Sequence, residues 1–408
     1  MLHAPPGRTQ VRRRPGFRTA AAVLAVGMAG ATLPTPLYGL YGEAFGFSEL
    51  TATLIFATYA IGVVVTLLLA GNLSDRLGRR PVLLGALLLA AASAGCFLLA
   101  DGLPLLYAGR LLSGCSIGLL SGTGTVTVLE LAAPAGRSRA AFAATAANMG
   151  GLGCGTLLSG VLAQYVPGPL ISPFLLHLVL LAGAAVTVLL LPETAVTTPA
   201  PTRPRPPGLY LASQVRGVFL PAALAAFSGF ALQGLFTATA PALLAGLGVR
   251  NLAVGGLAVF VVFLGSTVGQ ALAGDRVSRR VLAVGCLVLV AGLAMVGASL
   301  TAGSLILLVM GGACGGIGQG IAFRAGMAAV SDAAGAEHRA ATVSSLFVVA
   351  YAGMSLPVVG VGALSTAVGL ETAGLVFTGC VVLIAAVTGA RLTRTRPCGP
   401  HGHGDPMR

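Results

Sequence analysis

The stretch from Gly71 to Leu84 reads GNLSDRLGRRPVLL. It gathers Asp75, Arg76, Arg79 and Arg80 in a chain whose charged residues make up only 9% of the total. The runs on either side, 51–73 and 81–100, are apolar and each as long as the ~20 residues a helix needs to cross a hydrocarbon core of about 30 Å. The stretch therefore reads as a short charged loop between two membrane spans.

Working outward, the same pattern recurs along the 408 residues, which are 56% hydrophobic with a mean hydropathy of +0.93. Twelve spans are predicted at 19–40, 51–73, 81–100, 104–129, 140–163, 168–191, 217–243, 252–274, 281–301, 304–330, 341–366 and 370–390. The abundant Gly and Ala would be costly in water but allow close helix packing in lipid. The chain has no Lys, so its 24 basic residues are all Arg. All but Arg110, Arg250 and Arg324 fall on one side of the predicted spans, the side that also holds both termini. By the positive-inside rule that side is cytoplasmic, which predicts a multi-pass protein of the cytoplasmic (inner) membrane with N- and C-termini inside.

The net charge of +13 reads as membrane anchoring rather than as nucleic-acid binding, because no soluble stretch is long enough to form a binding domain. The start RRRPGFRTAAAVLAVGMAG has the look of a twin-Arg export signal, but Pro34 and Pro36 interrupt its apolar run and eleven further spans follow. We read it as the first helix with its basic anchor. The seven Cys show no metal-ligand spacing. Cys398, His401, His403 and Asp405 cluster in a Gly-rich tail that reads as unstructured. No metal site and no cofactor is expected, and no nucleophile–base pair or nucleotide loop points to an enzyme.

Internal repetition orders the spans. ALAGDRVSRRVLAV at 271–284 echoes the opening stretch, mapping Asp75, Arg76, Arg79 and Arg80 onto Asp275, Arg276, Arg279 and Arg280 at an offset of 200 positions. Arg139 and Arg339 repeat at the same offset, and Glu130 and Asp332 end the fourth and tenth spans at nearly equivalent places. Between the halves, Pro192, Pro199, Pro201, Pro204, Pro206 and Pro207 favour an extended tether over a helix. The predicted organisation is a basic tail at 1–18, a six-helix bundle at 19–191, a Pro-rich cytoplasmic linker at 192–216, a second six-helix bundle at 217–390 and a tail at 391–408. The fold class is all-α, with twelve transmembrane helices in two pseudo-symmetric bundles.

Gly71, Asp75, Arg76, Gly78, Arg79 and Arg80 match the G-x-x-x-D-R-x-G-R-R loop of the major facilitator superfamily position for position, between spans two and three. Arg110, Gly114 and Gly118 in GRLLSGCSIG look like that family's R-x-x-x-G element in span four. Over about residues 19–390 the chain thus resembles a drug-efflux-like member with twelve spans. Asp75 can hold Arg79 by a charge-assisted hydrogen bond, and Arg79 can reach Glu130. The resemblance implies that such a chain latches the cytoplasmic gate in the outward-facing state. Asp275, Arg276, Arg279, Arg280 and Asp332 form a weaker copy, with Ser278 in place of the glycine.

Polar residues within spans mark a candidate substrate cavity, because a buried charge in lipid is expensive and faces water or a partner. Arg110 is about 9 Å below the outer end of span four by helical rise, with Glu43 a candidate partner. Arg324 is equally deep from the inner end of span ten. Asn148, His177, Gln233 and Gln319 are nearer mid-span, and Tyr38, Tyr41, Phe236, Phe323 and Tyr351 could supply aromatic walls. In span five GLGCGTLLSG carries Thr156 and Ser159 where the family's antiporter signature has Pro and Gly, and the acids all lie at span ends or in loops.

These readings predict a monomeric secondary transporter working by alternating access. It is expected to export small amphipathic or drug-like molecules, with proton antiport as the candidate energy source. The alternative in the same fold is an importer or facilitator of a small metabolite. A non-transporting sensor or scaffold fits poorly, since no sizeable soluble output domain is present.

Overall fold

In the computed structural model, the described residues are 16–70, 73–195, 215–274, 278–335 and 338–394. They form helices α1 (Phe17–Thr32), α2 (Tyr38–Phe45), α3 (Glu49–Ala70), α4 (Leu73–Leu77), α5 (Arg79–Leu98), α6 (Leu103–Glu130), α7 (Arg137–Tyr165), α8 (Ser172–Leu190), α9 (Arg216–Gly246), α10 (Leu252–Ala273), α11 (Arg279–Ala302), α12 (Leu305–Ala333), α13 (Arg339–Val368) and α14 (Leu370–Arg394). Twelve helical segments are long and apolar enough to cross a bilayer, and they fall at the twelve predicted runs. The first is interrupted: Pro34 and Pro36 replace α-helix with a 3-10 turn at Thr35–Leu37 before α2 resumes, since proline removes a donor and crowds the preceding turn. The other spans mostly overrun their predicted ends, because charged and polar residues extend a helix past its apolar core.

Packing follows the repeat. In the first half α1 lies against α7, α6 against both α3 and α5, and α5 against α8; in the second, α9 lies against α13, α12 against both α10 and α11, and α11 against α14. The halves meet along two seams, α3 with α13 and α7 with α10, which exchange under the six-span shift. Large apolar side chains such as Leu69, Leu99 and Ile306 point outward, at least three-quarters exposed, where lipid rather than water would solvate them. We call the end bearing Arg79 and Arg279 the basic end.

At the opposite end the seams close by backbone contact. A Cβ on Gly160 of α7 would overlap the carbonyl oxygen of Leu252 in α10, one on Gly256 would overlap that of Thr156, and one on Gly362 of α13 would overlap the Thr53 hydroxyl of α3. Small residues are needed because lipid provides no hydrophobic drive between helices, leaving van der Waals contact and hydrogen bonds to hold them. Thr156, read from sequence as a lapse in a signature, donates its hydroxyl to Gly256 O across the seam at 3.2 Å. Gln164 Oε1 accepts from Leu252 N at 2.8 Å, at the start of α10.

Gly160→Val is expected to cost about 1–3 kcal/mol at this seam by overpacking and to part the halves there. In a background without native cysteines, an impermeant maleimide should label Ala238→Cys, which is buried beneath the seam's outer mouth, faster with the valine present. An unchanged labelling rate would contradict a backbone seal.

Candidate functional site

At the basic end, the loop between α3 and α5 is organised around Arg79. Its Nη2 and Nε donate to the two carboxylate oxygens of Glu130 at 3.0 and 3.3 Å, and its Nη1 donates to Asp75 Oδ1 at 2.5 Å and Ser74 Oγ at 2.7 Å. The predicted Asp75–Arg79–Glu130 chain is therefore formed. All its members belong to the first half, so in this conformation it fastens the loop to α6 rather than bridging the halves. Exposure ranks its links: the Asp75 side chain is 62% exposed and that of Glu130 31%, against 11% for Arg79. A solvated pair contributes about 0.2–1 kcal/mol, whereas hydrogen bonds to charged groups shielded on one side contribute about 1.5–3 kcal/mol. Glu130 is the stronger anchor.

Sequence reasoning missed a further participant, Glu193. Its carboxylate accepts from the backbone N–H groups of Arg79 at 2.8 Å and Arg80 at 3.0 Å, and from those of Thr194 and Ala195. The first two are orphan donors at the start of α5, where the helix dipole also favours an anion. Gly78 makes room: its φ of 95° is in the region glycine favours, and a Cβ there would stand 2.8 Å from Glu193 Oε2. Thr194 Oγ1 donates to Glu130 at 2.6 Å, and Arg80 Nη2 donates to Leu189 O at 2.5 Å. Partial burial raises the Glu193 pKa, but the four backbone donors outweigh it and hold the carboxyl below its ordinary value of 4.5. Arg76 is exposed, and Gly71 lies outside the described residues.

The second-half copy differs. Asp275 and Arg276 lie outside the described residues. Ser278, at the position of Gly78, has φ −148° and caps α11 itself, its Oγ accepting from Arg280 N at 3.1 Å. Arg279 and Asp332 border a common crevice of about 390 Å³ with Pro221 and Leu392.

Between the halves lies a cavity of about 400 Å³. It runs from Tyr59 and Tyr351, whose rings meet edge to face with centroids 6.3 Å apart, to Leu129 and Ala141 near the basic end. With the opposite seams closed, this is the arrangement open toward the basic end. Of the predicted cavity residues, Asn148, Gln233, Arg324 and Tyr351 line it, as does Phe323. The sequence reading missed Tyr59, Phe230, Phe263, Phe347 and Gln270, and the thioethers of Met149, Met327 and Met354. Arg324 Nε donates to Gly274 O at 3.2 Å, tying α12 to the end of α10.

Six predicted residues do not line this cavity, among them Tyr41, which is buried in the first bundle and donates its hydroxyl to Phe97 O at 3.1 Å. Gln319 is buried behind the wall and accepts from Gln233 Nε2 at 3.3 Å, and Phe236 packs against Gly312. Tyr38 borders a separate vestibule of about 680 Å³ at the opposite end, together with Glu43, Glu49, Gln164 and Arg250. His177 is buried against Gly30 of α1. Arg110, which we expected in the cavity, is fully buried inside the first bundle. Its Nη1 donates to Ala31 O at 2.5 Å, and its guanidinium carbon lies 5.0, 6.0 and 5.8 Å from the ring centroids of Tyr38, Phe56 and Phe97. Glu43 is exposed in the vestibule and forms no ion pair with it. The physical reason is azimuth: Arg110 is on the face of α6 turned into its own bundle, while the next residue, Leu111, points outward.

Residues 20–274 match the family model of the Major Facilitator Superfamily. The fold aligns with a solved POT family transporter in complex with 5-aminolevulinic acid, at TM-score 0.73 and 14% identity, covering 93% of this chain and 96% of that one. It also aligns with a bacterial homolog of the human lysosomal transporter Spinster, in an inward-facing and unoccupied conformation, at TM-score 0.71 and 15% identity, covering 92% and 96% of the two chains. An arabinose-proton symporter of Bacillus subtilis (strain 168) is 34% identical over 97 residues, which span 24% of this chain and about a fifth (21%) of the symporter. The chain belongs to the Major Facilitator Superfamily: it is a multi-pass membrane transporter, not an enzyme.

Glu130→Gln is expected to slow transport about tenfold and Asp75→Asn only about twofold, following the 1.5–3 against 0.2–1 kcal/mol ranking above. Initial rates normalised to membrane-inserted protein would show this, and the reverse order would overturn the ranking. The Glu193 pKa is lowered on folding, so its dock is complete above the ordinary carboxylate range and lost as pH falls through the lowered value. A nitroxide at Ala195→Cys should be immobile at neutral pH, mobile in acid, and mobile throughout in Glu193→Gln. Immobility persisting into strong acid would refute the dock.

Proposed function

We propose that this member of the family exports small amphipathic or drug-like organic molecules by alternating access, with the basic end and both termini in the cytoplasm. The observation that carries this reading is the wall of the central cavity. Rings from Tyr59, Phe230, Phe263, Phe323, Phe347 and Tyr351 and thioethers from Met149, Met327 and Met354 surround a few amide groups. Such a surface gains from apolar area and adapts its shape through flexible methionines, which suits substrates of varied outline. Asn148, Gln233 and Gln270 can accept or donate at several positions without demanding one stereochemistry.

The latch belongs to the same reading. When the basic end closes, the loop held by Arg79, Glu130 and Glu193 presents a rigid face to the second half, so its preorganisation lowers the entropy lost on closure. Proton antiport remains part of the proposal. Neither His nor a carboxylate is among the described cavity-lining residues, and Glu130 is committed to Arg79 and Thr194. The candidate proton carriers are then Glu43 and Glu49 in the opposite vestibule.

A second reading, import of a small metabolite with a proton, is favoured by the local likeness to the arabinose-proton symporter. Flux decides between them. In proteoliposomes with imposed pH gradients, an exporter should expel a labelled amphipathic aromatic from the compartment facing the basic end and leave arabinose unmoved; arabinose accumulation would replace the first reading with the second. Within the export reading, Tyr351→Ala should weaken apparent affinity about two- to tenfold, since one aromatic contact contributes about 0.5–1.5 kcal/mol. Unchanged affinity would remove the aromatic wall from substrate contact.

A further inference from the structure

At the basic end the two halves differ in what lies between their helix ends. In the first half the chain leaving α8 fills that place: the Glu193 carboxylate accepts from the Arg79 and Arg80 N–H groups at the start of α5, and Thr194 donates to Glu130 at the end of α6. Two hundred positions on from Glu193 stands Thr393. It carries no charge, α14 is still helical there, and its hydroxyl donates back to Ala390 O of the same helix at 2.9 Å. The matching place in the second half is the crevice of about 390 Å³.

Its walls come from the ends of α9, α11, α12 and α14. Val218, Pro221, Leu282 and Leu392 make them largely apolar, and Arg279 and Asp332 add charge. Three further guanidinium groups flank it, since Arg216 precedes the wall residue Gly217, Arg280 follows Arg279 and Arg394 stands two positions past Leu392; all three are exposed. The balance is cationic, with the exposed Asp332 as the one acid among the described wall residues. Ser278 Oγ already accepts from Arg280 N, so what the crevice offers an anion is side-chain charge rather than backbone donors. Four membrane-spanning helices begin or end around it, which sets it where headgroups meet hydrocarbon. On α9, Leu220 beside Pro221 is 55% exposed, as a side chain facing acyl tails would be.

We propose that this crevice binds the headgroup of an anionic phospholipid from the leaflet at the basic end. Basic pockets between spans suit such headgroups, because each arginine near the surface adds to the attraction. The phosphate accepts from the guanidinium groups of Arg216, Arg280 and Arg394, and the glycerol backbone and first acyl carbons lie against the apolar walls. A headgroup bearing hydroxyls answers Asp332 by donating to its carboxylate without cancelling the phosphate charge. Phosphatidylglycerol has this chemistry. Bound there, the lipid would fasten the ends of α9, α11 and α14 as Glu193 fastens the start of α5. The site is separate from the central cavity and stands whether or not the export reading does.

The test is native mass spectrometry of the purified full-length protein in detergent, offered equal amounts of phosphatidylglycerol and phosphatidylcholine. The first lipid retained should be phosphatidylglycerol with a preference of about fivefold or more, the factor that one surface arginine supplies. Arg280→Gln with Arg394→Gln should bring the two lipids close to parity. Arg137→Gln with Arg139→Gln removes the same charge from the first half at the same end and should keep the preference. Ala329→Phe fills the crevice without altering charge, Ala329 being a wall residue, and should abolish it. No preference in the unmodified protein, an equal loss in both arginine pairs, or a preference that survives Ala329→Phe would overturn the proposal. Phosphatidylethanolamine retained as well as phosphatidylglycerol would overturn the requirement for net negative charge, and displacement of the lipid by soluble glycerol 3-phosphate would overturn the lipid as occupant. Should the Arg280 and Arg394 pair fail to accumulate, Ala329→Phe decides alone.

Discussion

Two helix bundles in lipid have no hydrophobic force pressing them together, since the tails they would exclude are as apolar as they are. The structure depends on how this protein meets that constraint. Along the α7/α10 seam, Gly160 and Gly256 let backbones touch, and the polar links are few: Thr156 to Gly256 O and Leu252 N to Gln164. Contact of this kind has a short range. It holds while the surfaces fit and vanishes once they rotate apart, with no large apolar area exposed to a costlier solvent. A seam that is tight but not deep can part without a large loss of buried apolar area.

Charge obeys a related constraint. Arg79 and Arg110 are the same residue type in the same bundle, yet only the first has carboxylates within reach. At the edge of the hydrocarbon, Arg79 is one-ninth exposed, its two acids share water, and Glu193 spends its charge on helix-end donors instead of on a cation. Deeper in, desolvation would fall on both partners of an ion pair and exceed their attraction unless every lone pair were met. Aromatic faces around Arg110 avoid burying a second protein charge, at the cost of leaving the first uncompensated.

How much of this was legible in the sequence depends on whether the signal was local. The spans and the Asp75–Arg79 pair were, because length, hydropathy and an i, i+4 charge spacing are properties of neighbouring residues; the link on to Glu130, 51 positions from Arg79, was reached through the loop's family resemblance. Glu193 was not: it meets Arg79 from 114 positions away, and its trace in sequence is an acid just after the sixth span, where the same text also reads as the start of a Pro-rich linker. Arg110 was placed at the right depth and on the wrong side. In a soluble helix polarity distinguishes the faces, but α6 carries small polar residues both toward its own bundle, as Ser113 and Ser116, and toward the cavity, as Ser121 and Thr125, so nothing in its text separates the side facing Phe97 from the side facing a cavity. Tyr59 and Phe230 escaped notice for a related reason, aromatic residues lacking contrast within apolar runs.

The repeated loop shows why a repeated motif need not repeat its mechanics. Gly78 adopts a positive φ that opens a cradle for Glu193, and that carboxylate brings the chain leaving the first half onto the start of α5. Ser278 stands at the same point with an extended backbone and closes the end of α11 with its own hydroxyl. A serine there needs no visitor, and its Cβ would be strained in the conformation Gly78 takes. The first-half loop is therefore built to receive the chain that follows α8, whereas the second-half cap is complete within its own residues. A rocking motion between bundles of matching topology would be handled at its two charged loops by one part fastened to the connecting chain and another that is self-contained. The asymmetry rests on a single glycine-to-serine difference within an otherwise matching D-R-x-x-R-R sequence.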